Sequence, residues 1–284
     1  MRVLVTGAGG MLGSVVAAEA GRRGHDVVAL ARAELDVTDG PAVRAAVAAA
    51  GPDAVVHCAA WTDVDGAEAD EAGATAVNGA GVRHVAGAAA AGGAHLVHVS
   101  TDYVFDGTKG EPYDEADATG PLSAYGRSKL AGEQAVTGAG GTHAIVRTAW
   151  LFGAGGKNFV DTVLRLAQDR DELRVVDDQI GSPTWVGHLG PALVDLAETR
   201  GQGLFHVTAA GSCSWFELAT QAFARSAANC RAVPTTSAEF PRPAPRPAWS
   251  VLGSTRPDAP ALPPWQDGLA AHLAERSRTL ERTG

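Results

Sequence analysis

This chain of 284 residues predicts a doubly wound α/β fold built on a parallel sheet. Two observations carry the prediction. Short, continuously apolar runs alternate with longer Ala-rich amphipathic segments through the first half, the pattern of strands covered on both faces by crossover helices. Three glycines, Gly7, Gly10 and Gly13, follow the first apolar run and lead into a helical pattern, as in a strand–turn–helix unit that cradles a pyrophosphate.

Taken in order, the strands are expected at RVLVT (2–6), DVVAL (26–30), AVVHC (54–58), HLVHVS (95–100) and HAIVRT (143–148). Helical patterns lie between them, near 11–23, 41–50, 68–91 and 123–137. After about residue 150 the rhythm loosens. Helices are expected near 157–169, 186–199, 214–228 and 265–276, and strands at LRVVD (173–177) and GLFHV (203–207). The proline-rich stretch 240–264 contains an aromatic residue and several arginines, so an ordered loop packed on the body is expected rather than a free linker. The expected division is a dinucleotide-binding domain over 1–150 and a mixed region over 151–284. The latter completes the sheet and forms a smaller substrate-binding domain.

Composition narrows the function. At 45% hydrophobic and 19% charged residues the chain is globular. A net charge of −9 without a basic run argues against nucleic acid or an anionic membrane as partner. An anionic ligand would need a local basic patch. Three cysteines at spacings that match no metal motif read as free thiols in a reducing compartment, and His57, His95, His98 and His206 lack metal-site spacing. The first residues are strand-like at once, and no run of apolar residues is long enough to span a bilayer, so a soluble, cytoplasmic protein is expected.

The glycines allow a tight turn, close approach of backbone to phosphate, and a helix N-terminus aimed at it. The second strand ends without the acidic residue that would bind a ribose 2′-hydroxyl. Ala31 stands there instead, and Arg32 follows, either to hold a 2′-phosphate or as a solvated surface residue. Asp36 and Val37 follow and are placed at the adenine edge. Further on, Tyr125 and Lys129 are four residues apart, so on a helix they share a face. A phenol titrates near pKa 10, and an ammonium beside it favours the phenolate. Ser100 and Thr101 end the fourth strand, Thr101 standing 24 residues before Tyr125, and present hydroxyls able to hold a carbonyl while the tyrosine protonates it.

The segments TGAGGMLG, HCAAWTDVDGAE, STDYVFDG, YGRSKLAGE, RTAWLFG, DDQIGSPT and RPAPRPAWSVL occur in this order. Together they resemble the extended short-chain dehydrogenase/reductases, and within them the dTDP-4-dehydrorhamnose reductase family, over nearly the whole chain. The resemblance implies reduction of the C4 ketone of a dTDP-4-keto-6-deoxyhexose by NADPH or NADH. The product would be dTDP-L-rhamnose or, as the alternative, another dTDP-deoxysugar. It implies that Tyr125 donates the proton, that Lys129 tunes it and binds the nicotinamide ribose, and that Thr101 completes a triad. Asp102, Tyr103 and Trp150 would meet the sugar. Gly10, Met11 and Leu12 would meet the pyrophosphate, and Ala59, Ala60, Trp61 and Thr62 would pass the nicotinamide half. Arg242, Arg246 and Lys157 are the candidate cations for the substrate's phosphates. No metal is expected, and the protein would be a monomer or homodimer. An intact Thr101, Tyr125 and Lys129 argue against a non-catalytic binding module. Asp102 without a following glutamate argues against a dehydratase.

Overall fold

The computed structural model describes residues 1–283, with side chains as far as 278. Its first half contains β1 (Arg2–Thr6), α1 (Met11–Arg22), β2 (Asp26–Leu30), α2 (Gly40–Ala50), β3 (Ala54–His57), α3 (Val64–Ala69), α4 (Glu71–Thr75), α5 (Val82–Ala91), β4 (His95–Thr101), α6 (Ala124–Gly138) and β5 (His143–Thr148). The second half adds β6 (Leu151–Phe152), α7 (Phe159–Leu166), β7 (Glu172–Val176), β8 (Ile180–Gly181), β9 (Thr184–Trp185), α8 (Val186–Thr199) and β10 (Gly203–His206). It ends with β11 (Ala209–Ala210), β12 (Cys213–Ser214), α9 (Trp215–Ser226), β13 (Arg231–Thr235), β14 (Leu262–Pro264) and α10 (Trp265–Thr283).

Six parallel strands form the central sheet in the order β10-β5-β4-β3-β1-β2. Side chains alternate across a strand, and both faces here are apolar. Val3 and Val5 of β1 pack with Leu12 and Val16 of α1 and Leu189 and Leu193 of α8. Leu4, between them, faces the opposite core with Val43 of α2, Val85 of α5 and Val136 of α6. The chain turns back on itself at β1, whose neighbours are β2 on one side and β3 on the other, so a crevice opens at the carboxyl ends of β1 and β3. The part of the chain beyond residue 150 supplies the sixth strand, β10, and the covering helix α8. It also builds a third core from α7, α9, α10 and the β7–β13 pair.

One expected helix differs. The pattern over 68–91 is not continuous but divides into α3, α4, a π-helical stretch (Ala76–Gly81) and α5. Asp63 and Asp70 each accept a hydrogen bond from the backbone N–H three residues on, at Gly66 and Gly73, and so start new helices. The proline-rich stretch is ordered. Leu252 bridges to Tyr113 and Trp249 to Ile180, Ala244 and Val251 are buried, and the Trp249 indole N–H donates to the Glu111 carbonyl at 2.9 Å.

Candidate active site

A cleft of about 1280 Å³ lies at the carboxyl edge of the sheet, from the glycine turn after β1 to Trp150 after β5. Gly7 adopts φ +70°, and a Cβ there would lie 2.6 Å from the Ala59 nitrogen. A Cβ on Gly13 would lie 2.2 Å from the Gly7 carbonyl oxygen. Only glycines let the turn, the helix and the strip after β3 come this close. α1 then opens after Gly10 with no side-chain cap, which leaves its first N–H groups to an anion. These features fit the pyrophosphate of a dinucleotide. Met11 and Leu12 line the same wall.

Arg32, Asp36 and Val37 border the cleft beyond β2. The Asp36 carboxylate accepts from the Thr38 backbone N–H at 2.9 Å and its hydroxyl at 2.8 Å, and these bonds hold its pKa low. Arg32 makes no ion pair among the described residues. Four residues past the end of β2, Glu34 turns back and accepts from the Ala31 N–H at 2.7 Å, outside the cleft wall.

The strip Ala59–Thr62 lines the middle of the cleft. It is fixed by Asn78, in the π-helical stretch. Asn78 Oδ1 accepts from the Trp61 N–H at 2.9 Å, and Nδ2 donates to the Trp61 carbonyl at 3.0 Å and to Ser128 Oγ at 2.9 Å. A wider π turn brings this amide out of helical register to reach the loop.

Opposite the strip stands α6. Ser123 caps it by accepting from the Gly126 N–H at 3.1 Å. A Cβ on Gly126 would lie 2.2 Å from the Tyr103 carbonyl oxygen, so the helix packs directly on the backbone that follows Thr101. Tyr125 and Lys129 both line the cleft. Lys129 is 3% exposed and its Nζ donates to the Val99 carbonyl at 2.7 Å. Burial pulls its pKa down to about 8, against the Glu133 carboxylate one turn further along. The simple expectation that Lys129 lowers the phenol of Tyr125 does not hold. Burial dominates and pushes the phenol up to about 12, with the Thr101 hydroxyl opposing the rise. Tyr125 therefore stands protonated at neutral pH, as a donor must.

Thr101 Oγ1 donates to Asp102 Oδ1 at 3.0 Å and accepts from the Tyr103 N–H at 3.2 Å. Asp102 is 2% exposed, its Oδ2 has no hydrogen-bond partner among the described residues, and burial raises its carboxyl to about 7. Tyr103 lies behind this wall, edge-on to Tyr125 at 5.9 Å. Trp150 lines the far end with φ 48°, a conformation unusual for a bulky residue. Its indole lies flat on Trp215 at 3.4 Å, and a Cβ on Gly181 would meet it at 2.3 Å.

Arg242 and Arg246 do not line the cleft. Both grip the Asp65 carboxylate, Arg242 at 2.5 Å and Arg246 at 3.0 Å. Against the upward push of burial, the two guanidiniums draw Asp65 down to about 2. Lys157 does line the cleft, on a loop whose Gly156 packs against Met11, so it sits near the glycine turn.

The RmlD substrate binding domain family model matches residues 1–278. The chain belongs to the dTDP-4-dehydrorhamnose reductase family. It is 50% identical over 277 residues to a dTDP-4-dehydrorhamnose reductase of Streptomyces griseus, covering 95% of this chain and 91% of the relative. It is 46% identical over 274 residues to a probable dTDP-4,6-dihydroxy-2-methyloxan-3-one 4-ketoreductase of Streptomyces antibioticus, covering 95% and 93%. The crystal structure of a Bacillus anthracis dTDP-4-dehydrorhamnose reductase in complex with NADP superposes with a TM-score of 0.94 at 40% identity, covering 96% of this chain and 99% of that one.

The motif reading gives no role to Asn78, Asp65, Trp215 and Glu133, which support the site from outside the cleft wall. Asp65 and Glu133 stand inside the segments HCAAWTDVDGAE and YGRSKLAGE, and Asn78 is a lone amide inside the Ala/Gly-rich run ATAVNGAG. Trp215 left no signal, because it meets Trp150 only through the tertiary fold.

Proposed function

We propose that the chain reduces the C4 ketone of a dTDP-4-keto-6-deoxyhexose with NADPH or NADH, dTDP-4-dehydrorhamnose being the first substrate to try. One observation carries the reading: Tyr125 and Lys129 face one cleft with Thr101, beside a glycine turn shaped for a dinucleotide. The nicotinamide, when bound, supplies the hydride that reaches the ketone carbon. The chain supplies the rest. Tyr125 gives its phenolic proton to the carbonyl oxygen as negative charge grows there. The phenolate left behind is stabilised by the Lys129 ammonium, which would also hold the nicotinamide ribose when the cofactor is bound. Thr101 and Asp102 hold the sugar oxygens, and Trp150 closes the pocket over the ring.

Arg242 and Arg246 share one carboxylate between two guanidiniums, which leaves a net positive charge for the substrate's phosphates. Arg32, without an ion-pair partner, favours NADPH through its 2′-phosphate. Residues 1–150 hold the cofactor and the smaller core beyond 151 holds the nucleotide sugar. A second reading keeps the chemistry and changes the product, and the 46% identity to a 4-ketoreductase of another dTDP-sugar favours it. The test is NADPH oxidation with dTDP-4-dehydrorhamnose and with dTDP-4-keto-6-deoxyglucose, followed by NMR of the products. No turnover with either sugar refutes the proposal, and the preferred sugar decides between the readings.

A further inference from the structure

Glu133 lies one helical turn beyond Lys129 on α6 and is 5% exposed. Its Oε1 accepts from Ser100 Oγ at 2.6 Å and from Arg147 Nε at 2.8 Å, and its Oε2 accepts from Arg147 Nη2 at 2.7 Å. Ser100 immediately precedes Thr101 on β4, and Arg147 stands on β5 shortly before Trp150. One carboxylate thus joins the three elements that carry Tyr125 and Lys129, Thr101, and Trp150.

Stability alone is a poor account of this arrangement, since a buried ion pair can often be replaced by apolar residues without loss. What the charge faces is more telling. Lys129 is surrounded by Tyr125 and Glu133 on α6, His57 on β3, Cys58 after it, and His98 on β4. Burial keeps His57 down at about 3 and His98 well below its usual range, and it pushes the Cys58 thiol up to about 12. All three are neutral at pH 7, and so is the Tyr125 phenol. Arg147, on β5, has its guanidinium committed to Glu133, with His206 beyond it at 3.4 Å and the Phe105 ring at 5.0 Å. Among these neighbours Glu133 alone offers Lys129 a negative charge.

We propose that Glu133 is a positioning residue of the reduction. Its carboxylate, held by Arg147 and Ser100, keeps the Lys129 ammonium charged and seats the Tyr125 turn of α6 against Thr101. This inference rests on the roles given to Tyr125 and Lys129 above.

The test is the Glu133→Gln variant, read in two ways. The chain has only three lysines, Lys109, Lys129 and Lys157, so ¹³Cε-lysine labelling gives a spectrum in which Lys129 can be assigned by its own substitution and titrated. Loss of a unit charge one helical turn away should move that titration, and the alkaline limb of kcat/KM, down by about one pH unit or more. Arg147→Gln keeps the carboxylate and should leave both where they are or raise them, though the fold is weakened. A pair that is merely structural would give the two variants the same profile, and that result overturns the inference. So does an unmoved Lys129 titration in folded Glu133→Gln. Where the single variant does not fold, Glu133→Gln/Arg147→Met removes both buried charges, and a smaller downward movement is expected, because loss of the Arg147 cation offsets part of the loss of the carboxylate; no movement at all overturns the inference. A wild-type protein that turns over no dTDP-sugar refutes the reductase reading instead, while the titration still reports on Glu133.

Discussion

Lys129→Met should make the protein more stable at neutral pH and nearly inactive. The side chain is 3% exposed and titrates at about 8 instead of its ordinary 10.5, chiefly because burial disfavours the ammonium. At about 1.4 kcal/mol per pH unit, holding it charged at pH 7 costs roughly 3 kcal/mol of folding free energy. Methionine has a similar length and no charge. It forfeits the bond from Nζ to the Val99 carbonyl, worth about 1 kcal/mol net, so a gain of about 2 kcal/mol remains. The sign is checked through pH. Between about 8 and 10.5 the unfolded chain binds the proton more tightly than the folded one, so wild-type stability rises with pH across that window, and below 8 the full penalty applies. Urea unfolding followed by tryptophan fluorescence at pH 7 and pH 10 measures both halves. The variant should be the more stable at pH 7 and lose that advantage by pH 10. A variant less stable than wild type by the same amount at both values refutes the argument, because Lys129 would then act through packing alone.

Other outcomes follow from the same geometry. Tyr125→Phe should lower kcat by roughly two to four decades and leave cofactor affinity intact, as stopped-flow turnover and fluorescence titration would report. Gly13→Ala should abolish cofactor binding, because its Cβ would lie 2.2 Å from the Gly7 carbonyl, and calorimetric titration with NADPH checks it. Arg32→Ala should raise KM for NADPH by about tenfold or more and leave KM for NADH unchanged, since only the former carries a 2′-phosphate. Gly181→Ala should drive the Trp150 indole off its stack with Trp215 and raise KM for the sugar nucleotide more than it lowers kcat.

The strands of the central sheet were legible because each is a short apolar run on which both faces are buried, so composition alone betrays it. The glycine turn was legible because Gly7 and Gly13 stand where a Cβ would collide with backbone. The helix over 68–91 misled, since Ala-rich periodicity outweighs two aspartates that act as caps only when the loop after β3 is in place. Arg242 and Arg246 are expected as candidate cations for the substrate's phosphates, and their common partner Asp65 stands 177 residues before the first of them. No local pattern signals such a pair. The electrostatics of Tyr125 were beyond the sequence for a related reason. Helical spacing fixes that Lys129 is near, but the depth of both groups decides that burial, and not the neighbour, sets the phenol's pKa.

A chain of net charge −9 that binds two anionic ligands would be expected to gather cations on one surface. Instead Arg32 and Lys157 stand along the cleft, Lys129 lies buried in its floor, and Arg242 and Arg246 are clamped on one carboxylate. Such dispersed charges do little beyond the Debye length, about 8 Å at physiological ionic strength. At contact distance a committed guanidinium or a desolvated ammonium interacts more strongly with a phosphate than a solvated one does. Lys129 stands apart from the other four: it is buried in the cleft floor, and it is the cation whose removal should strengthen the fold.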